Sequence, residues 1–281
     1  MIAEEALAAG IEEICIVCAP GDEEQYLRQF RRLRANLLEA YRGADWAQEQ
    51  ADRVDNLLRR LHFAAQEEPR GYGEAVLCAR EFTGGDPFLL LLGDHLYVSD
   101  VPGKGCAQQV IDLAVQEECA VAAVHPTREH LIGSYGTLTG RYVGTMPGVY
   151  QIERIIEKPS LSIAELELQT PGLRAGHYLC FFGMHVLTPR LFGLLAESVA
   201  RAAATGGYQL TPVLQELAHR EKYLALEVRG SRYDIGRKFG LLKAQIALST
   251  AGRDREEVLS TLVELLSEAG QRLGRQAGGS R

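Results

Sequence analysis

No apolar run in the sequence approaches the roughly 20 residues that a membrane-spanning helix needs, so a helical span is excluded. Nor is there a basic stretch. Thirty Lys and Arg against 37 Asp and Glu leave a net charge of −7, which argues against a surface built to grip polymeric nucleic acid. The first residues are acidic and amphipathic, unlike a secretory signal. The seven histidines (His62, His95, His125, His130, His177, His185, His219) show neither H-x-x-x-H nor H-x-H spacing, and no zinc site is expected. No G-x-S-x-G supplies an acyl-transfer nucleophile, no G-x-x-x-x-G-K-[ST] supplies a Walker-type phosphate loop, and no internal repeat is visible.

The composition that remains is that of an ordinary globular protein, 46% hydrophobic and 24% charged. A chain of 281 residues allows one or two domains. Its six cysteines (Cys15, Cys18, Cys78, Cys106, Cys119, Cys180) mostly sit in apolar stretches. Buried free thiols of a reducing compartment do so, and the cytoplasm is the expected location. Cys15-Ile-Val-Cys18 has C-x-x-C spacing but lies within an apolar strand pattern, so core thiols are expected there rather than a redox pair.

Apolar runs over 14–19 (ICIVCA), 61–65, 87–92 (PFLLLL) and 119–125 read as strands. Helical patterns cover 1–10, 22–41, 46–60, 75–80 and 107–117. Strand alternating with helix predicts a parallel sheet with right-handed crossovers, covered on both faces. From residue 134 the rhythm changes: 135–143, 149–156 and 175–187 read as longer strands of an antiparallel or mixed part of the sheet. Helices follow at 189–204 and 211–220, a strand at 223–228, and two closing helices at 237–249 and 253–273. The expected organisation is one α/β domain over 1–250, a C-terminal helix over 251–273 and a disordered Gly/Ser/Arg tail over 274–281. The apolar stripe Val258, Leu259, Leu262, Leu265 and Leu266 has helical spacing and must be buried, on this domain or on a partner.

Ligands of such sheets bind beyond the carboxyl ends of strands, which directs attention to the residues after each apolar run. Asp94, in Leu92-Gly93-Asp94-His95, would stand there beside a cation and phosphates, or it caps the turn. Arg154-Ile155-Ile156-Glu157-Lys158-Pro159 delivers an acid and a base in succession. Adjacent strand residues face opposite ways, so Glu157 and Lys158 meet one ligand only if the strand frays or bends; otherwise they are a solvated pair before a proline stop. Asp234, in Tyr233-Asp234-Ile235-Gly236, is a second acid before a helix start, where an N-cap aspartate is equally at home. In the stretch from Gln66 to Ala75, Gly71-Tyr72-Gly73 forms a turn into a helix whose backbone amides can approach a ligand.

Taken in order, these segments resemble the bacterial UTP–glucose-1-phosphate uridylyltransferases, a family of sugar-nucleotide pyrophosphorylases. The resemblance covers residues 2–248. It rests on Ala8-Ala9-Gly10-Ile11-Glu12-Glu13-Ile14, on Gln66 with Gly71-x-Gly73-x-Ala75-Val76-Leu77-Cys78-Ala79, and on Leu92-Gly93-Asp94. It continues through Ser134-Tyr135-Gly136, Glu157-Lys158-Pro159, Gly176-His177-Tyr178, Tyr208-Gln209-Leu210-Thr211 and Tyr233-Asp234-Ile235-Gly236. Each piece is short; eight in the right order are specific.

The resemblance implies a Rossmann-like nucleotidyltransferase domain: an α/β fold with a central, mostly parallel mixed sheet flanked by helices, and C-terminal helices. It implies that UTP and glucose 1-phosphate give UDP-glucose and pyrophosphate with Mg2+ as cofactor, in a homodimer or homotetramer. By the same resemblance Gln66 and the backbone of Gly71 contact uracil, and Asp94 and Asp234 hold the magnesium ion. Glu157 accepts hydrogen bonds from sugar hydroxyls, the amide of Gly136 and the turn at Gly176 close around the hexose, and Lys158 neutralises the sugar phosphate. Asp94 and Lys158 are then the catalytic pair.

The sequence also departs from the family. The family opens on a strand and a glycine-rich G-x-G-T-R loop ahead of the helix with which this sequence starts. The expectation is a longer gene product or, alternatively, a shortened homologue that binds sugar nucleotide or assembles with other subunits. Without that strand, unpaired edges and exposed apolar surface are expected. Tyr208 and Pro212 stand where the family has acids, and His177 where it has arginine, which leaves another nucleotide or hexose 1-phosphate open as the substrate.

Overall fold

The computed structural model describes residues 1–202 and 208–278. The first third of the chain comprises α1 (Ile2–Ala8), β1 (Ile14–Cys18), the helices α2 (Glu23–Ala40) and α3 (Asp45–Arg59), β2 (Leu61–Ala65), α4 (Tyr72–Cys78) and α5 (Arg80–Thr83). Next come β3 (Phe88–Leu91), β4 (His95–Ser99), α6 (Cys106–Glu117), β5 (Ala120–Arg128), a 3-10 turn (Glu129–Ser134), β6 (Gly136–Tyr142), β7 (Val149–Glu157) and α7 (Leu161–Glu167). The last third holds β8 (His177–Leu187), α8 (Arg190–Ala202), α9 (Thr211–Arg220), β9 (Tyr223–Glu227), β10 (Gly230–Asp234), α10 (Gly240–Ala251) and α11 (Arg255–Gly278).

The architecture is α/β, with a central six-stranded sheet in the order β3-β8-β5-β9-β7-β6. Strand β5 explains why helices lie on both faces. Every residue from Ala120 to Val124 is fully buried, and successive side chains leave a strand on opposite sides. Ala120, Ala122 and Val124 pack with Leu191 and Leu195 of α8 and Leu214 and Leu217 of α9. Val121 and Ala123 pack with Val110 and Leu113 of α6 and Phe182 of β8.

Strand direction departs from the expected, mostly parallel sheet. β5 and β9 are parallel. β8 pairs antiparallel with both β3 and β5, and β7 antiparallel with both β9 and β6. Strands β3, β5 and β9 do share one direction, as strand–helix–strand order requires. The long return strand β8, from the later half of the chain, inserts between β3 and β5 and reverses the contacts.

β1 and β2 form their own parallel pair, separate from the central sheet among the described residues. β1 is half-buried except at Cys18, and β3, the most apolar run in the chain, is half-buried throughout. Strand pairing that the apolar pattern does not announce joins β10 to β4 in an antiparallel ribbon, with Asp234 opposite His95. At the C-terminal end, α11 continues through Gly278, beyond the expected helix end at 273, because nothing in 274–278 stops it as a proline would. The expected tail residues 279–281, like residues 203–207 after α8, lie outside the described residues. The stripe on α11 is only partly covered by α10. Val258 and Leu262 are half-buried, while Leu259, Leu265 and Leu266 are exposed.

All six cysteines are free. Burial, with Cys18 adding to it, pushes the Cys15 thiol up to about 11, so the C-x-x-C pair is a pair of core thiols. No helix among the described residues is long and apolar enough to cross a membrane.

His185 lies inside the sheet, its Nδ1 2.8 Å from the Tyr223 hydroxyl, and burial pushes its pKa down to about 4. The unfolded chain takes up this proton near pH 6.5, the native state only near 4. Stability therefore falls as pH drops through that window and levels off below it. Between pH 7 and 5 this one group should cost about 2 kcal/mol. Urea unfolding at both pH values should show wild type losing that much more than His185→Gln, and equal losses would refute the assignment.

Candidate active site

The apolar strand β3 ends at Leu91, and the turn Leu92-Gly93-Asp94 carries the chain into β4. The Asp94 carboxylate is 57% exposed, with Oδ1 2.8 Å from His95 Nδ1. A carboxylate only accepts, so Nδ1 carries the proton and donates. His95 is buried; burial first, and then Arg232, holds its pKa below the usual histidine range. It is thus a neutral donor that fixes Asp94 without adding charge.

The β4–β10 ribbon brings the second acid to the same place. Ile235 N–H donates to the Asp94 carbonyl at 2.9 Å. A Cβ on Gly236 would lie 3.3 Å from Asp234 Oδ1 and 3.5 Å from Asp94 Oδ2, so the two carboxylates flank one point. Asp234 accepts from the Gly236 amide at 3.0 Å and from Arg237 Nε at 3.1 Å. Among the described residues there is no cluster of three or more His, Cys, Asp or Glu arranged to hold a metal. Two partly exposed carboxylates suit a hard cation that takes its remaining oxygens from water or from a ligand.

The β6–β7 hairpin carries the second pair. Gly136 lies opposite Glu157 in register. A Cβ there would stand 2.7 Å from Phe181 Cδ2 and 3.0 Å from Glu157 Oε2, so no side chain fits. Thr211 Oγ1 donates to Glu157 Oε2 at 2.7 Å. Lys158 has φ +46°, a left-handed conformation rare outside glycine. That bend breaks the strand alternation and places Lys158 Nζ 3.7 Å from Glu157 Oε1. Acid and base therefore share one side of the strand end.

Tyr135 ties the two pairs together. Its carbonyl accepts the Lys158 amide at 3.1 Å. Its ring lies 4.3 Å from the Arg232 guanidinium and 5.4 Å from that of Arg237, while Arg232 Nη1 donates to the Phe181 carbonyl at 2.6 Å. The motif reading passed over both arginines. Their signal was there: Arg232, Arg237 and Lys238 bracket Tyr233-Asp234 in an acidic chain.

A third group lies beyond β2. Gln66 donates its amide N–H to the Cys18 carbonyl at 2.8 Å, and its Nε2 donates to the Gly71 carbonyl at 3.2 Å and to Glu74 Oε2 at 3.1 Å. Gly71 has φ +150°, and a Cβ there would lie 2.5 Å from the Tyr208 carbonyl oxygen. Gly73 N–H donates to that same oxygen at 2.8 Å. Tyr72, in the middle of that turn, is exposed.

Gly176 is placed differently from the other expected residues. It precedes β8 with φ +71°, and its nearest neighbour is Glu129, whose N–H donates to the Gly176 carbonyl at 3.0 Å. The strand rises roughly 3.3 Å per residue, so Gly176 stands well along β8 from Phe181, the residue that meets Gly136. The structure does not bring it to the Gly136–Glu157 pair.

Residues 1–250 match the family described as "Nucleotidyl transferase". The UTP–glucose-1-phosphate uridylyltransferase of Streptococcus pneumoniae is 32% identical over 248 residues, 87% of this chain and 77% of that protein. The Bacillus subtilis uridylyltransferase YngB is 32% identical over 269 residues, 95% of this chain and 82% of that protein. Among solved structures, UDP-glucose pyrophosphorylase from Acinetobacter baumannii shares the fold at a TM-score of 0.73 and 24% identity, over 94% of this chain and 86% of that one. A UDP-glucose pyrophosphorylase complexed with UDP-glucose superposes at 0.69, with 24% identity over 87% of this chain and 83% of that one. With its two carboxylates at one turn and its acid–base pair on the adjoining hairpin, this chain belongs to the nucleotidyl transferase family.

Proposed function

We propose that this nucleotidyltransferase moves a uridylyl group from UTP to glucose 1-phosphate, releasing UDP-glucose and pyrophosphate. The observation that carries the reading is the bridge at Tyr135, which fastens the Asp94–Asp234 turn to the Glu157–Lys158 bend. Two anionic reactants need such a paired arrangement. The relatives' names supply the substrate pair, and the geometry supplies compatible roles.

In this reaction an oxygen of the sugar phosphate attacks the α-phosphorus of UTP, and the bond from that phosphorus to the pyrophosphate oxygen breaks. The attacking oxygen is already ionised, so no general base is needed. Catalysis consists of alignment and charge compensation. Asp94 and Asp234 would hold a magnesium ion, and the two-carboxylate set fits an ion that completes its shell with phosphates and water. Bound there, magnesium lowers the charge on the phosphates and templates their approach. Lys158 neutralises the sugar phosphate. Glu157, held by Thr211, accepts from the sugar hydroxyls, and the bare backbone of Gly136 lets the hexose lie close. Gln66 and Gly71 face the uracil.

Isothermal titration with UDP-glucose and magnesium, run beside pyrophosphate release from UTP and glucose 1-phosphate, tests the reading; absence of binding by a folded chain overturns it. Asp94→Ala and Lys158→Ala should each lower turnover by about 100-fold or more, the usual scale for removing one preorganised charge. Unchanged turnover in both would sink the site assignment. Gly136→Ala should raise the KM for glucose 1-phosphate about tenfold while leaving that for UTP nearly unchanged, because the added methyl meets Phe181 and Glu157 rather than the Gln66 turn.

A further inference from the structure

We propose that Glu74 decides which base the site accepts, by locking the side-chain amide of Gln66 in one orientation. This rests on the reading above that Gln66 faces the base. Glu74, in the first turn of α4, is the one buried carboxylate among the described residues. Its Oε1 accepts from Arg70 Nε at 2.7 Å and from Arg70 Nη2. Its Oε2 accepts from the Arg70 amide at 3.1 Å and from Gln66 Nε2 at 3.1 Å. The Arg70 hydrogen bond outweighs burial and holds the Glu74 carboxyl below the usual range. Arg70 is braced in turn, with its guanidinium 4.9 Å from the Tyr208 ring centroid.

The Gln66 amide thus meets two neighbours that can only accept: the Glu74 carboxylate and the Gly71 carbonyl. Both must be served by the NH2 group. Turning the amide over would set its oxygen against two acceptors, one of them charged. The NH2 protons are therefore committed, and Oε1 is the atom left for a ligand. An acceptor at that place pairs with a ring N–H. Uracil presents one at N3, whereas cytosine has an acceptor there and meets Oε1 lone pair to lone pair.

With Gln at position 74 the neighbour can donate or accept, so only the Gly71 carbonyl still opposes turning the Gln66 amide over, and the turned amide can offer N–H to cytosine. The lost discrimination amounts to about one hydrogen bond to a charged group, or roughly tenfold. Titration of the full-length chain with UDP and with CDP, each with magnesium, reads this as the ratio of the two Kd values. A partly unfolded sample weakens both alike and leaves the ratio unmoved. Wild type should favour UDP, and Glu74→Gln should reduce that preference about tenfold. If Glu74→Gln retains the wild-type ratio, Glu74 only braces the turn and the inference falls alone. A wild-type chain that binds UDP no better than CDP overturns the base reading and this inference together.

Discussion

Antiparallel pairing of β4 with β10 is the constraint on which the site depends. It sets Asp234 opposite His95 and so carries an acid from near residue 230 to the turn that holds Asp94. Neither carboxylate alone distinguishes a ligand from a turn cap. Side by side, with a buried histidine fixing one and an arginine and a backbone amide holding the other, they flank one point at the strand ends. The Glu157–Lys158 bend is tied to that ribbon, since Arg232 within it and Arg237 just past it both reach the Tyr135 ring.

The charge distribution suits phosphate chemistry in spite of the net −7. Lys158, Arg232, Arg237 and Lys238 are concentrated around the strand ends, while the acidic excess is dispersed over the helices. A reaction between two anions needs just this local reversal of sign, and it needs few side chains besides. The electrophile and nucleophile come ready charged, so the protein contributes alignment, compensating charge and close backbone approach. The tight places at Gly71 and Gly136, where a methyl group would collide with Tyr208 or with Phe181, show how much of the site is built from backbone.

Much of the fold could be read directly. The apolar run over 61–65 and the helical pattern over 211–220 correspond to β2 and α9, because hydrophobic period is local and both elements are amphipathic or covered. The direction of the central sheet could not be read, since it depends on where β8 inserts, and strand order is a matter of long-range pairing. Residues 95–99 and 230–234 went unnoticed as strands because they are short and follow turns. Asp94, Glu157 and Lys158 were legible as candidates through their place after apolar runs, Asp234 through its place before a helix start and Gln66 through its motif; Arg232 and Arg237 were passed over although they bracket Tyr233-Asp234, because their contacts with Tyr135 are long-range.

By itself the sequence determined the class of the protein: an α/β chain with core thiols, no spanning helix, and a series of short motifs whose order matches one family of transferases. Chain order and hydrophobic period are enough for that. Only the tertiary structure decided that Glu157 and Lys158 share one side, because the left-handed turn at Lys158 is a backbone angle that no alternation pattern encodes. It alone decided that Asp94 and Asp234 meet and that Gly176 stands apart, because strand register converts separation along the chain into distance in space.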